Sequence, residues 1–295
     1  MKVGVVGDIA IDYIGSVDAF PELNSNCGIT SLEQGFGGSA ANTAVMCAQL
    51  GAETRLLACT GSDFPAGYRA KLDSLHLSRD LVQTQDKTTS AFLFSKGNSQ
   101  LTFFYKGASR GLDGVEPSAD LLGCDIIHFC RDYDRLFLKI ARKSGSLISF
   151  NPGYGLDELK KASLKKMLKR TNFLFINEHE ERYLNSLFKK DIPLLGPEVV
   201  VKTIGPKGSI VTYRNEEIHT PAIKTRLKDP TGAGDGFAAG FLAGLAEELG
   251  LEQCARLGTA VACKVVGSKS AQPGFSREEI ERIAKKCGRN SNKMS

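Results

Sequence analysis

One stretch of the chain, Lys228 to Leu245, sets two aspartates among closely spaced glycines and reads KDPTGAGDGFAAGFLAGL. The small residues Gly232, Ala233 and Gly234 let backbone N–H groups crowd around an anion, and the helix predicted to follow adds its positive end. The acid at the joint, Asp235, would repel a phosphate but suits a hydroxyl whose proton it accepts during attack on phosphorus. This pattern indicates phosphoryl transfer to an alcohol. From these residues alone, an aspartate that only caps a helix remains an alternative.

Apolar runs alternate with helical stretches along most of the chain. A polar or glycine-rich turn ends each of the apolar runs DIIHFC, SLISFNPG, FLFINEHE and EVVVKTIGPKG. This alternation predicts an α/β fold with a doubly wound, mostly parallel sheet flanked by helices. Ligands of such sheets bind beyond the carboxyl ends of the strands, so we expect functional residues in these turns.

Two segments break the alternation and predict a small second sheet. TTSAFLFSKGNSQLTFFYKGAS has two β-rich runs around a turn and predicts a hairpin, and YIGSVDAFPELNSNCGITSLEQ has short β-like pieces without a helical pattern. A small β-sheet over the ligand edge of the main domain would serve as a lid. We therefore expect a main domain of residues 1–12, 37–86 and 111–295 and a lid of residues 13–36 and 87–110.

Composition and charge exclude several classes of protein. The 295 residues are 42% hydrophobic and 24% charged with a net charge of +5, part of which lies in a basic tail that is typical of a solvated end and not of a nucleic-acid arm. No apolar run reaches the roughly 18 residues of a membrane span, and the first residues do not resemble a signal peptide. Eight cysteines without a C-x-x-C pair favour reduced, buried thiols in a cytoplasmic protein over zinc or disulfides.

The signatures of three other nucleotide or acyl-transfer sites are missing. The chain has no Gly-Lys dipeptide and hence no P-loop, and its first β-α turn has no G-x-G-x-x-G. The run GGSAA lacks the final glycine of a nucleophile elbow.

The run DPTGAGD resembles the D-x-T-G-A-G-D signature of the ribokinase-like (PfkB) carbohydrate kinases. Motifs similar to others of that family follow in the same order over nearly the whole chain: GDIAID, GGSAAN, GSD, NEHE and TIGPKG. The resemblance implies a ribokinase-like fold. It also implies a kinase that transfers the γ-phosphoryl group of ATP to a primary hydroxyl of a sugar or of a nucleoside's ribose.

The resemblance assigns a role to each matching residue. Asp235 corresponds to the general base, and Gly232, Ala233 and Gly234 correspond to the amides of the anion hole. The residues implied to bind the substrate are Asp12, Gly38, Asn42 and Asn151. Carboxylate and amide groups suit the hydroxyls of a polyol, since the first accepts hydrogen bonds and the second both donates and accepts.

The resemblance also implies ATP and Mg²⁺ as cofactors, with K⁺ in some members. The residues implied to bind ATP are Asn177, Lys202, Thr203, Gly205 and Gly208. Glu180 is implied to hold Mg²⁺ through water, which agrees with the preference of this ion for oxygen ligands. Asp229 and Thr231 fall where many members bind a monovalent cation, although activation by K⁺ varies among them.

Several alternatives stay open from the sequence. Asn42 can bond its own helix turn, Asp12 can end a strand in a turn, and Glu180 can be a solvated helix residue. Lys106 and Arg110 either face the substrate from the lid or lie on a solvated hairpin.

The substrate and the assembly state are also open. A nucleoside needs an apolar slot for its base, for which Phe103, Phe104, Tyr105 and Phe36 are candidates, although aromatic residues of a hairpin usually only pack. A simple sugar remains an equal alternative. A catalytically silent sensor that binds a sugar or nucleotide is a further alternative, but the intact Asp235 and anion-hole residues speak against it. An uncovered hairpin edge favours a homodimer formed through the lid.

Overall fold

The structure is a computed structural model that describes residues 1–75, 77–97, 99–153 and 155–287. The predicted solvated tail falls mostly at residues 288–295, outside that range. The strands are β1 Val3–Val6, β2 Ala10–Val17, β3 Ile29–Gly37, β4 Thr54–Thr60, β5 Leu77–Gln83, β6 Thr89–Lys96, β7 Ser99–Tyr105, β8 Ile126–Cys130, β9 Leu147–Asn151, β10 Phe173–Asn177, β11 Val199–Thr203, β12 Ser209–Tyr213 and β13 Glu216–Thr220. The helices are α1 Ser39–Gln49, α2 Ala66–Asp73, α3 Ala119–Leu122, α4 Asp134–Lys143, α5 Lys161–Leu168, α6 Glu178–Phe188, α7 Ala233–Ala246, α8 Leu251–Val266 and α9 Arg277–Cys287.

The larger sheet has the strand order β13-β12-β11-β10-β9-β8-β1-β4-β5. Every pair from β11 to β5 is parallel, and β12 and β13 add an antiparallel edge. The central strands β1 and β8 are buried at every residue, as expected of parallel strands covered on both faces. One apolar cluster packs α1, α7 and α8 on one face, and a second packs α4, α5 and α6 on the other. The predicted doubly wound α/β fold is confirmed.

The smaller sheet, which we call the lid, has the strand order β3-β2-β6-β7. The antiparallel pairing of β6 with β7 confirms the predicted hairpin. The chain crosses between the two sheets at Asp8 and Ile9, so Asp12 lies within β2 of the lid. The division of the chain into two domains at the stated residues stays a prediction.

Helix α7 packs closely against α8 through glycines on one face. A Cβ atom on Gly240 would come within 2.6 Å of the Leu257 carbonyl oxygen, and one on Gly244 within 2.9 Å of Cys254 Sγ. Such close contacts leave the helix little freedom to shift. The first turn of α7, which carries Asp235, is therefore firmly placed.

The motif GSD connects the main domain to the start of the lid. The carboxylate Oδ1 of Asp63, which follows β4, accepts hydrogen bonds from Thr88 N at 2.7 Å and Thr88 Oγ1 at 2.9 Å. Thr88 immediately precedes β6, so this contact fixes the point where the chain enters the hairpin of the lid.

Two further observations concern the chain as a whole. Six of the eight cysteines are buried and only Cys27 is exposed, in line with the expected buried thiols. Among the described residues, no helix combines the length and the apolar character needed to cross a membrane.

Candidate active site

Asp235 lies in the first turn of α7, where its carboxylate meets two side chains of α1. Ser39 Oγ donates to Asp235 Oδ1 at 2.5 Å, and Asn42 Nδ2 donates to Asp235 Oδ2 at 2.8 Å. The backbone before it needs a glycine, because Gly232 has a φ of +80° and a Cβ atom there would lie 2.9 Å from Ala271 Cβ. The fold thus brings together Asp235 and Asn42, which the sequence had placed in separate motifs.

The environment of Asp235 raises the pKa of its carboxyl group to about 6. Burial is the main cause, the hydrogen bonds from Ser39 and Asn42 oppose it, and the charge of Asp8 adds to it while that of Arg131 opposes it. At pH 7 the group is therefore mostly ionised and is still basic enough to accept a proton.

Two cavities meet at Asp235, and both are lined by Ser39, Arg131, Gly232 and Asp235. The first, of about 290 Å³, opens over the carboxyl ends of the strands and the first turn of α7. Its lining includes the predicted site residues Asn151, Asn177, Glu180, Thr203, Ala233 and Gly234. The second, of about 270 Å³, lies under the lid and is lined by the predicted residues Asp12, Gly38 and Asn42. A hydroxyl from the lid side and a phosphoryl group from the other side can therefore meet at Asp235.

On the lid side, Asp12 is a buried carboxylate, 7% exposed. Burial raises its pKa to about 7, helped by the charges of Asp8, Asp235 and Asp229 and opposed by that of Arg131. Asp12 is therefore only partly ionised near neutral pH. Its position on the cavity wall excludes the alternative of a simple strand-ending turn.

The glycine pair between β3 and α1 makes room for these acids. A Cβ atom on Gly37 would overlap the carboxylate of Asp12, and Gly38, with a φ of +93°, would bring one within 2.6 Å of the Asp8 carbonyl oxygen. The two glycines thus let the chain pass directly beside the cavity under the lid.

On the phosphate side, Asn177 and Glu180 form the capping box of α6. Asn177 Oδ1 accepts from His179 N at 2.8 Å and Glu180 N at 3.0 Å, and Asn177 N donates to Glu180 Oε2 at 2.8 Å. Glu180 is 7% exposed, so the alternative of a solvated helix residue is wrong. Burial raises its pKa, while the bond from Asn177 opposes the rise.

The single carboxylate of Glu180 is compatible with a magnesium ion that is shared with a nucleotide. In the described part of the chain, no three His, Cys, Asp or Glu side chains are grouped to hold a metal. Mg²⁺ in kinases is held by one or two carboxylates together with phosphates and water. Glu180 is a single carboxylate on the wall of the cavity over the first turn of α7 and would suit that role, and Mg²⁺ binding there stays a prediction.

The remaining predicted nucleotide residues surround the turn after β11. Thr203 lines the cavity, whereas Lys202, Gly205 and Gly208 are not among its lining residues. The Lys202 ammonium pairs with the carboxylate of Glu181 at 2.9 Å and 3.1 Å. Nucleotide contacts by these three residues stay predictions.

Asp229 and Thr231, the predicted cation residues, lie together beside α7. Asp229 Oδ1 accepts a hydrogen bond from Thr231 N at 2.8 Å, and both residues line a third cavity with Asp12. The binding of a monovalent cation there stays a prediction.

Arg131, directly after β8, is a site residue that the sequence reasoning missed. It has a φ of +74°, is 7% exposed and places Nε 3.5 Å from Asp8 Oδ2. Its guanidinium group lies 5.1 Å from the ring centre of Phe104 on the lid. Because it lines both cavities, Arg131 places a positive charge between them. Its position after the apolar run DIIHFC, at the ligand edge, was the available signal.

The aromatic and basic candidates of the lid differ in whether they line the cavity or contact other side chains. Of the four aromatic candidates for a nucleobase slot, only Phe104 lines the cavity under the lid. Tyr105 donates to Asp86 at 2.8 Å, and Phe36 stacks on Tyr68 with ring centres 4.3 Å apart. Lys106 pairs with Asp132 at 2.9 Å and Glu158 at 2.6 Å, and the exposed Arg110 lies over Tyr105.

Residues 1–278 match the sequence profile of the pfkB family carbohydrate kinases. The chain belongs to the PfkB family. A nucleoside kinase of Methanocaldococcus jannaschii is 37% identical over 295 residues, covering 96% of this chain and 97% of that protein. A nucleoside kinase of Methanothermobacter thermautotrophicus is 33% identical and covers 96% of each chain. This PfkB-family chain is thus a phosphotransferase with an alcohol group as acceptor.

Solved structures agree with this PfkB-family fold. The crystal structure of the Methanocaldococcus jannaschii nucleoside kinase, an archaeal member of the ribokinase family, has a TM-score of 0.89 and 34% identity over 97% of this chain and 99% of that one. The nucleoside kinase of Burkholderia thailandensis in complex with inosine also has a TM-score of 0.89, at 21% identity over 97% and 99% of the two chains, and shows a shared fold.

Proposed function

We propose that this protein is an ATP-dependent nucleoside kinase that phosphorylates a primary hydroxyl of the ribose, with Asp235 as the general base. The observation that carries the proposal is the position of the Asp235 carboxylate where two cavities meet, one under the lid and one over the first turn of α7. A raised pKa of about 6 suits a base that works near neutral pH.

The reaction follows from this arrangement. The ribose hydroxyl gives its proton to Asp235 as its oxygen forms a bond to the γ-phosphorus of ATP. The bond from that phosphorus to the bridging oxygen breaks, and the electron pair leaves with ADP. The N–H groups of the first turn of α7 and the Arg131 guanidinium stabilise the charge on the transferring group.

Two observations favour a nucleoside over a free sugar. The relatives of Methanocaldococcus jannaschii and Methanothermobacter thermautotrophicus, which this chain matches over nearly their whole length, are named nucleoside kinases. The lid wall of the substrate cavity also offers apolar side chains beside polar ones, which suits the faces and the edge of a base. These lid residues are Ala91, Leu93, Gln100, Thr102 and Phe104.

Mg²⁺ and a monovalent cation belong to the proposal as cofactors. Glu180 would hold Mg²⁺, which when bound neutralises charge on the phosphates of ATP. Asp229 and Thr231 would hold K⁺ through oxygen atoms. The residues of this chain then orient the hydroxyl, exclude water under the lid and accept the proton at Asp235.

A panel of ribonucleosides, pentoses, hexoses and keto-deoxy acids, assayed with ATP and a readout of ADP, tests the substrate. Turnover on at least one nucleoside at a kcat/KM above that of ribose is the expected result. Tight binding of a nucleoside without turnover on any member of the panel would instead support a silent sensor.

A further inference from the structure

Gln272 lies in the loop between α8 and α9 and is 3% exposed, an unusual place for an amide side chain. Its Nε2 atom is 2.9 Å from Asn42 Oδ1 and 2.6 Å from the Tyr68 hydroxyl oxygen. Its Oε1 atom is also buried and accepts no hydrogen bond from the protein groups that the structure describes. The side chain is therefore held through its NH₂ group.

The directions of these hydrogen bonds follow from one carbonyl group. The Tyr68 hydroxyl lies 2.8 Å from the Gly37 carbonyl oxygen, which can only accept, so Tyr68 donates there. The Tyr68 oxygen then accepts from Gln272, whose second N–H bonds Asn42 Oδ1. With Oδ1 occupied in this way, the NH₂ group of Asn42 faces Asp235.

We infer that Gln272 is a positioning residue, which holds Asn42 in the orientation that donates to the carboxylate of Asp235. The inference rests on the proposed role of Asp235 as general base. It assigns Gln272 no contact with substrate, because Gln272 does not line the cavities under the lid and over α7.

Without Gln272 the Asn42 amide is free to turn its oxygen toward Asp235, and an acceptor would then face an acceptor. The hydrogen bond that opposes the rise in the Asp235 pKa would be lost. The other groups that act on Asp235 stay in place. These groups are Asp8 from the crossing into the lid, Asp12 of β2, Arg131 after β8, the Cys130 thiol and the Ser39 hydroxyl.

The test compares Gln272→Met with wild type in pH profiles of kcat for the best nucleoside of the substrate panel. From a pKa of about 6, a rise of about half to one unit leaves roughly 50–75% of Asp235 ionised at pH 7, so kcat there should fall by at most about twofold. The acid limb should move to higher pH by about half to one pH unit. An unmoved limb would overturn the inference, whatever happens to the melting temperature.

Gln49→Met is the matched control, because Gln49 Oε1 accepts from Phe275 N at 3.1 Å and so binds the same loop from α1 without reaching Asp235. Its acid limb should stay in place, and an equal movement would mean that the loop as a whole sets the profile. If Gln272→Met does not fold, Gln272→Asn withdraws the amide from Asn42 and is interpreted in the same way. Asp235→Asn in the same assay distinguishes failure of the Gln272 inference from failure of the proposed function. Full activity of that variant would contradict the role of Asp235 as general base.

Discussion

Asn42 and Asp235, which are 193 positions apart in the sequence, share a hydrogen bond of 2.8 Å between Nδ2 of the first and Oδ2 of the second. The bond joins α1 to the first turn of α7, so it ties the glycine pair before α1 to the glycine-rich turn before α7. It also helps keep Asp235 ionised at neutral pH, against the effect of burial. The placement of Asp235 thus depends on contacts between distant motifs.

Arg131→Met should lower kcat by about 10- to 100-fold, because the variant loses a positive charge beside the transferring phosphoryl group. Steady-state kinetics with a nucleoside and ATP measure the effect. Arg110→Met is the control, since Arg110 is an exposed arginine that lies over Tyr105. A kcat for Arg131→Met within threefold of wild type would remove Arg131 from the mechanism.

Asp12→Asn should stabilise the protein while it weakens substrate binding. The folded-state pKa of Asp12 is about 7 against an ordinary value of 3.8, so the folded chain binds more protons than the unfolded chain between these values. The contribution of Asp12 to stability is therefore full below about pH 4 and is lost as the pH rises through 7. At pH 8 the substitution should raise the free energy of unfolding by about 1–3 kcal/mol and raise the KM of the nucleoside.

Thermal and urea unfolding at pH 5 and pH 8 measure this effect, which should be larger at pH 8. Asp18→Asn removes the same charge from an exposed position after β2 and should change little. A loss of stability in Asp12→Asn at pH 8 would contradict the description of Asp12 as a buried, repelled carboxylate.

Phe104→Ala should raise the KM of a nucleoside by about tenfold and change that of ribose much less, since only the nucleobase needs the apolar wall of the lid. Phe103→Ala is the matched control, because Phe103 precedes Phe104 on β7, is 59% exposed and does not line the cavity. Parallel kinetics with the two acceptors measure the ratio. Equal increases in KM for ribose and for the nucleoside would mean that the nucleobase binds elsewhere.

Leu101→Lys should weaken the proposed homodimer. Leu101 and Leu32 are 44% and 57% exposed on β7 and β3, the two edge strands of the lid, where a second copy would cover them. Light scattering at micromolar concentration should give a dimer mass for wild type and a lower mass for the variant. Leu194→Lys, at a leucine that is 74% exposed on the main domain, should remain a dimer. A monomeric wild-type protein would refute the proposal.

The sequence predicted the fold class and the hairpin, because strand patterns are local, and its short motifs drew attention to Asp235. It did not locate Ser39, Arg131 or Gln272 in the site, since each acquires its role from a partner distant in the sequence. The Lys202 ammonium pairs with Glu181 of the neighbouring helix α6, which its motif did not indicate, and its contact with ATP stays a prediction. Burial, which sets the pKa of Asp235, becomes known only with the packing of α1 and α7.

The most direct test of the central claim is kcat of Asp235→Asn for the nucleoside that wild type uses best. The amide has nearly the shape of the carboxylate but cannot accept the proton of the hydroxyl. The variant should therefore fold, bind ATP and nucleoside, and turn over about 10²- to 10⁴-fold more slowly. Turnover within about threefold of wild type in a folded Asp235→Asn protein would contradict the assignment of Asp235 as the base.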